Sequence, residues 1–133
     1  MGERFTASVG AGTLLEDGPD CLVVPHHWTG TGMSVRGGFT GAHVMHLAVA
    51  CCVLNDVYRE AERRGLHLNG VHVTAEGGFD TDTWHSTGVE YAVAIDSALL
   101  PETVDRLVGA VERVAEVPRA LRQGVGVRRV GHV

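Results

Sequence analysis

The chain has 133 residues, 44% of them hydrophobic, so it can bury one modest core and needs no second domain. Its net charge of -5, sequence pI near 5.8 and 5% aromatic content argue against a phosphate-binding face or a base-stacking platform, and no nucleic-acid partner is expected. No stretch approaches the roughly 18 consecutive apolar residues of a membrane span and no signal-peptide pattern opens the sequence, so we expect a cytoplasmic protein without a membrane partner.

The first part of the chain is predicted to form a β-meander. Strands are expected over 5–9 and 21–24, separated by a glycine break at 10–12 and a turn at 17–20. Glycine is dense between residues 30 and 41, which predicts a loop. The backbone of that loop either approaches a ligand or a second subunit, or forms a plain flexible connection.

A long helix is predicted from about residue 41 to residue 64. Thr40 occupies the N-cap position, where its hydroxyl can accept a hydrogen bond from a free backbone N–H. The segment 44–54 is apolar on nearly every side, whereas the rest of the helix carries charges on most faces. We therefore expect the cysteine-bearing half to be buried all round and the end at Arg63 and Arg64 to reach water.

The second half of the chain completes an α+β fold. Alternation with period two predicts strands over 71–76 and 89–96, joined by a polar hairpin loop over 80–86. Pro101 is a favoured first residue of a second helix, and 122–130 is predicted as a last strand. The order is β-meander, long central helix, β-hairpin, second helix and final strand. One small sheet cannot cover a helix that is apolar on all sides, so a homodimer is expected.

The three cysteines, Cys21, Cys51 and Cys52, are an odd number without disulfide spacing, and adjacent cysteines rarely bridge because the ring strains the backbone. We expect reduced thiols in a reducing compartment, with Cys21 and Cys51 on sides predicted to be core. A thiol attacks peroxide or acyl carbon only as thiolate, so its surroundings must lower its pKa from about 8.5. Cys52 has Asn55 and Asp56 one helical turn ahead and no cation there, and the Asp56 carboxylate would oppose ionisation.

Activation of Cys52 must therefore come from elsewhere in the fold. Arg36, just before the glycine-rich turn, is the nearest basic residue in that loop. The alternatives are His26, His27 and His43. His43 lies about 180° from Cys52 around the helix axis, so it is better placed to serve the thiol of a second subunit. His43 and His46 are three residues apart, but positions 47 and 50 offer no third ligand, so neither a metal nor another cofactor is expected.

The order and spacing of these segments resemble the OsmC and organic-hydroperoxide-resistance (Ohr) superfamily over roughly residues 35–127. The resemblance is carried by the glycine-rich turn 37–41, the helix with Cys52, the strand at 68–73 and the helix start at 100–103. It implies an intertwined homodimer with active sites at the subunit boundary, where Cys52 is the thiolate that attacks peroxide.

Position along the chain suggests roles for other residues. We assign Arg36 and His43 to catalysis with Cys52. The residues assigned to substrate binding are Gly37, Gly38, Phe39 and Cys51. Ala115, followed by a glutamate, stands where the family's peroxidases carry a resolving cysteine, and Ala42 or His43 stands where they carry a glutamate.

Three functions are compatible with this sequence. The first is a thiol-dependent reductase of organic hydroperoxides, in which an external thiol restores Cys52 because no resolving cysteine is present. The second is an ester or thioester hydrolase in which Cys52 is the nucleophile and His26, His27 or a partner's histidine is the base. The third is a non-catalytic dimer that binds a small apolar molecule at its interface.

Overall fold

The computed structural model describes residues 3–131 and shows a mixed fold of five strands and three helices within that range. The elements in chain order are β1 (Arg4–Gly12), β2 (Cys21–Val24), β3 (Met33–Gly37), α1 (Gly41–Arg63), β4 (Gly70–Phe79), β5 (Ser86–Asp96), α2 (Pro101–Val114) and α3 (Glu116–Gln123). The α+β prediction, including the long helix, the hairpin and the helix that begins at Pro101, is confirmed.

The five strands form one antiparallel sheet in the order β2-β3-β1-β4-β5. Val9 of β1 pairs with Val35 on one side and Val73 on the other, and all three side chains are buried. Since side chains alternate along a strand, their neighbours Ser8, Ser34 and His72 point to the other face. The valines face the helices and form the core, whereas the second face is polar.

Helix α1 packs against the central strands β1 and β4. Thr40 is its N-cap, as predicted, and its hydroxyl accepts a hydrogen bond from the His43 backbone N–H. Buried residues such as Val53 and Val57 face the sheet, but Val44 is 42% exposed, and Cys51 and Cys52 are half-buried. The prediction that this half of the helix is covered on every side is therefore not met within one chain.

By length and hydropathy α1 would also pass as a membrane span, as core helices of soluble proteins do. In the most apolar 18-residue window of the helix, 44% of the window is buried inside the protein. Its contacts with β1, β4 and α2 are those of a core helix.

Two sequence predictions about the strands need correction. The glycine-dense segment predicted as a loop contains β3, because backbone pairing with both β1 and β2 holds it extended. The glycines at 10–12 do not break β1, which continues to Gly12. Gly10 is instead required by packing, since a Cβ there would collide with the carbonyl oxygen of Leu14.

The predicted final strand at 122–130 is also wrong. Residues 116–123 form α3, and the chain from Gly124 to Gly131 pairs with no strand among the described residues. Pro118 does not prevent this helix because it lies in the first turn, where a missing N–H costs no hydrogen bond.

Candidate functional site

A pocket of about 330 Å³ lies between α1 and the start of α3. It is lined by Ala48, Cys51, Cys52, Asn55, Asp56, Arg59, Glu116 and Val117. The α1 residues fall one to three turns apart on one side of the helix, which is why a single helix face supplies both thiols and the acid. Both adjacent cysteines therefore open into the same space.

Cys52 lies beside a buried carboxyl group. Its thiol donates to Oδ2 of Asp56 across 3.9 Å, and Asp56 is only 2% exposed. Burial raises the pKa of Cys52, and the charges of Asp56 and Glu116 raise it further. Burial also raises the pKa of Asp56, which makes that carboxylate a stronger base than an exposed one.

The N-terminus of α3 acts on Cys52 in the opposite direction. The backbone N–H groups of Val117 and Glu116 donate toward the thiol and lower its pKa, against the effect of burial. Such groups at a helix N-terminus favour a negative charge nearby. The segment at which the resemblance expects a resolving cysteine is thus in place, but it supplies backbone donors and the Glu116 carboxylate, while Ala115 is fully buried.

Arg59 is a cation in the pocket that sequence reasoning missed, and it pairs with the two acids. Its Nη1 lies 2.9 Å from Oδ1 of Asp56 and 3.4 Å from Oε1 of Glu116, so one guanidinium bridges the two acids. The signal was available, because Arg59 follows Cys52 by seven residues, which is two helical turns on the same face.

The same trio could be spanned by a metal ion. The sulfur of Cys52 and one carboxylate oxygen each from Asp56 and Glu116 lie within 4.8 Å of one another. Arg59 already occupies both carboxylates, which disfavours a second cation there.

Cys51 contacts a different group. Its sulfur accepts a hydrogen bond from Nδ2 of Asn55 at 3.6 Å, and burial raises its pKa while this bond lowers it. Oδ1 of Asn55 in turn accepts from Nε2 of His26 at 3.1 Å, and Nδ1 of His26 bonds to Thr29 at 2.8 Å. The sequence predicted a core side for Cys51 and also assigned it to substrate binding; in the structure Cys51 packs partly against the core and lines the pocket.

Arg36 lies far from this arrangement within one chain. It alternates with Val35 on β3, so its side chain points to the sheet face opposite α1. There its Nε lies 3.0 Å from Oε2 of Glu16. The predicted activating role of Arg36 is thus not provided by its own chain.

The other predicted site residues gather near the start of α1. Nδ1 of His43 lies 2.7 Å from the Thr40 hydroxyl, and its ring packs edge-on against Phe5. Gly38 lies against this ring, since a Cβ there would be 2.9 Å from it and would make the ring shift. Phe39 is 60% exposed. Gly37 ends β3. These residues surround the helix start and not the pocket of Cys52, so their assignment to the site stays a prediction that needs a second subunit.

Comparison with known proteins agrees with this fold. The sequence matches the OsmC-like protein family over residues 31–128, which is most of the chain, and the chain therefore belongs to that family. The solved structure of an OsmC-like hydroperoxide resistance protein from Jannaschia sp. CCS1 is similar, with a TM-score of 0.62 over 98% of this chain and 94% of that chain. The two sequences are 13% identical, so this likeness concerns the fold. No curated protein is significantly similar in sequence.

Proposed function

We propose that the protein reduces organic hydroperoxides, with Cys52 as the nucleophile and an external thiol as the reductant. The observation that carries the proposal is the contact of the Cys52 thiol with the buried Asp56 carboxylate in an open pocket. Membership of the OsmC-like family, and the hydroperoxide resistance named for a structural neighbour, support it.

In the proposed reaction Asp56 accepts the proton of the Cys52 thiol, and the thiolate attacks the terminal oxygen of the peroxide. The new bond joins sulfur to that oxygen, the O–O bond breaks, and its electron pair leaves on the alkoxide. A proton, which protonated Asp56 can return, converts the alkoxide to an alcohol. Cys52 is left as a sulfenic acid.

An external thiol then restores Cys52. One thiol condenses with the sulfenic acid and releases water, and a second thiol displaces the mixed disulfide and returns the Cys52 thiol. The position beside Cys52 carries Glu116 and not a cysteine, so an internal disulfide is not expected. A reducing, cytoplasmic compartment would supply such thiols, and it would keep the three free cysteines reduced.

A homodimer would complete the site. The residues of α1 that its own chain leaves open form a stripe along one side of the helix. They are Val44, Leu47, Ala48 and Cys51. A second copy laid on this stripe would close the pocket and bring further residues to the thiols. Light scattering should show a dimer at micromolar concentration, and a stable monomer would count against this part of the proposal.

For the hydrolase alternative, no histidine among the described residues lines the pocket of Cys52. Both ring nitrogens of His26 are hydrogen bonded, to Thr29 and Asn55, and neither faces Cys52. Ester cleavage would thus depend on Asp56 as the base.

One preparation assayed with two substrates tests the proposal. With tert-butyl hydroperoxide and dithiothreitol we expect turnover that Cys52→Ser abolishes and Cys21→Ser leaves intact. Without reductant, excess hydroperoxide should over-oxidise Cys52, adding two or three oxygen atoms by mass. Cleavage of an activated ester that consumes no reductant would favour the hydrolase instead. No turnover of either substrate above the Cys52→Ser background would favour a ligand-binding dimer.

A further inference from the structure

A carboxamide held at both ends faces the pocket of the two thiols. Asn55 follows Cys51 by one turn of α1 and lines the same pocket. Its oxygen accepts from His26 and its nitrogen donates to the Cys51 sulfur, so the direction of the amide is fixed. A primary amide nitrogen carries two N–H groups, and Cys51 uses one of them. The second N–H remains to donate to a bound molecule.

Apart from the backbone N–H groups of Glu116 and Val117, which face the Cys52 thiol, the pocket presents mainly acceptors to a hydroperoxide. A hydroperoxide has one O–H to donate and two oxygens that accept. The carboxylates of Asp56 and Glu116 can take the O–H, but an ionised carboxylate donates nothing. The guanidinium of Arg59 is engaged with both acids. The oxygen that bears the alkyl group becomes negative as the O–O bond breaks, and the second N–H of Asn55 is a neutral side-chain donor that can hold it.

His26 holds Asn55 in this donor direction when its Nε2 carries the proton. Because Oδ1 of Asn55 only accepts, the Nε2 that faces it at 3.1 Å carries a proton. In that tautomer Nδ1 accepts from the Thr29 hydroxyl, which lies 2.8 Å from Nδ1 and 3.0 Å from the Gly32 carbonyl oxygen and can donate to only one of them. The ring packs against Tyr58 and Trp28 at centroid distances of 5.4 and 5.6 Å. With the ring held in place and protonated at Nε2, Asn55 has one favoured orientation.

The geometry points to Asn55 as the residue that orients the peroxide in the pocket, and to His26 as the positioning residue that holds Asn55 in the donor orientation. This inference rests on the proposed hydroperoxide reduction. It assigns Asn55 to the alkyl-bearing oxygen and leaves Asp56 to handle the proton.

Kinetics of four variants test the assignment. Asn55→Ala should lower kcat/KM for tert-butyl hydroperoxide about three- to tenfold, the loss expected for one neutral hydrogen bond. His26→Ala should lose a similar factor, and His26→Gln should recover most of it because a glutamine amide can donate to Asn55 as the ring does. His27→Ala is the matched control, since His27 is exposed on the same loop, and it should keep the wild-type value.

A second reaction separates orientation from structural damage. Iodomethane alkylates the Cys52 thiolate but has no oxygen for Asn55 to hold, so Asn55→Ala should change that rate less than twofold. Equal losses in both reactions would mean that Asn55 is merely structural and would overturn the inference, as would an unchanged peroxide rate in Asn55→Ala.

Binding without chemistry distinguishes failure of the inference from failure of the proposed function. In Cys52→Ser, tert-butyl hydroperoxide should shift the side-chain amide signals of Asn55 in a ¹⁵N-correlated NMR spectrum, and Asn55→Ala in that background should weaken binding. An absent shift overturns the assignment of Asn55. A clear shift together with no wild-type turnover supports the assignment of Asn55 and refutes the reductase.

Discussion

Two carboxylates on opposite faces of the sheet show how surroundings can shift the pKa of an acid in opposite directions. Glu16, on the polar face, lies 2.6 Å from Nε2 of His72 and 3.0 Å from Nε of Arg36, and these partners, His72 foremost, lower its pKa. Asp56, on the helix face, is fully buried with one cation and a thiol, and burial raises its pKa.

The difference lies in the balance between solvation and partners. The Glu16 carboxylate is partly solvated and has two cationic or hydrogen-bonding partners, and both favour its ionised form. Asp56 has lost water and is opposed by Glu116 and Glu60, so it holds a proton more readily. A carboxyl group of the second kind beside a thiol can exchange that proton during a reaction.

The largest expected effect is on hydroperoxide reduction, which should depend on Asp56 and not on Glu16. Asp56→Asn should lower kcat/KM for hydroperoxide reduction about a hundredfold, the lower range for loss of a general acid-base group. The matched variant Glu16→Gln should leave turnover unchanged, because Glu16 lies on the far face of the sheet. If Glu16→Gln lowered turnover as much as Asp56→Asn, the assignment of a special role to Asp56 would be wrong.

The same substitution should affect simple thiol reactivity in the opposite direction. Asp56→Asn removes a negative charge that raises the pKa of Cys52, so the variant should alkylate faster than the wild type at pH 7 while it reduces peroxide more slowly. Mass spectrometry of Cys52 after brief exposure to iodomethane measures this rate. Slower alkylation would mean that proton uptake by the Asp56 carboxylate aids ionisation more than its charge opposes the thiolate.

The pH dependence of Cys52 alkylation should reveal the raised pKa of the thiol. Burial and two nearby acids raise its pKa above the ordinary value of about 8.5, so alkylation should climb about tenfold per pH unit from pH 6 to pH 8. Glutathione measured in parallel should begin to level off at lower pH. A plateau for Cys52 below pH 7 would show that an activating cation reaches it, such as one from a second subunit.

The smallest expected effect is that of Glu16 on the free energy of unfolding. Glu16→Gln should lower the free energy of unfolding by about 1 kcal/mol at pH 7, since the group is partly exposed and solvent screens its ion pairs. The folded-state pKa of Glu16 is lowered, so its contribution is present above the unfolded value of about 4.3 and is lost as the pH falls through the folded value. Urea unfolding should therefore show the two proteins converging at acid pH, and a constant difference would contradict this.

The sequence predicted the elements that are stabilised by local signals. The cap at Thr40, the proline at 101 and the alternation in β4 and β5 each depend on neighbouring residues, and these elements were predicted correctly. β3 was missed because its stability comes from pairing with β1 and β2, which the local glycines conceal.

The candidate site was predicted less completely. Cys52 and the opposing Asp56 follow from helical spacing, but the approach of α3 is a tertiary contact between residues more than sixty positions apart. Arg36 was misplaced because the prediction treated its segment as a loop. Once that segment is a strand, the alternation with Val35 directs Arg36 away from α1.

The donors that α3 directs at Cys52 belong to the main chain, and this has an evolutionary consequence. Replacing the side chains of Glu116 or Val117 leaves both N–H groups in place, and only proline at those positions deletes a donor. An anion-stabilising feature of this kind can persist while the side chains around it diverge, and residue-by-residue comparison of sequences does not detect it. Chains as different as the 13% identical neighbour can thus share the feature wherever they share the path of the backbone.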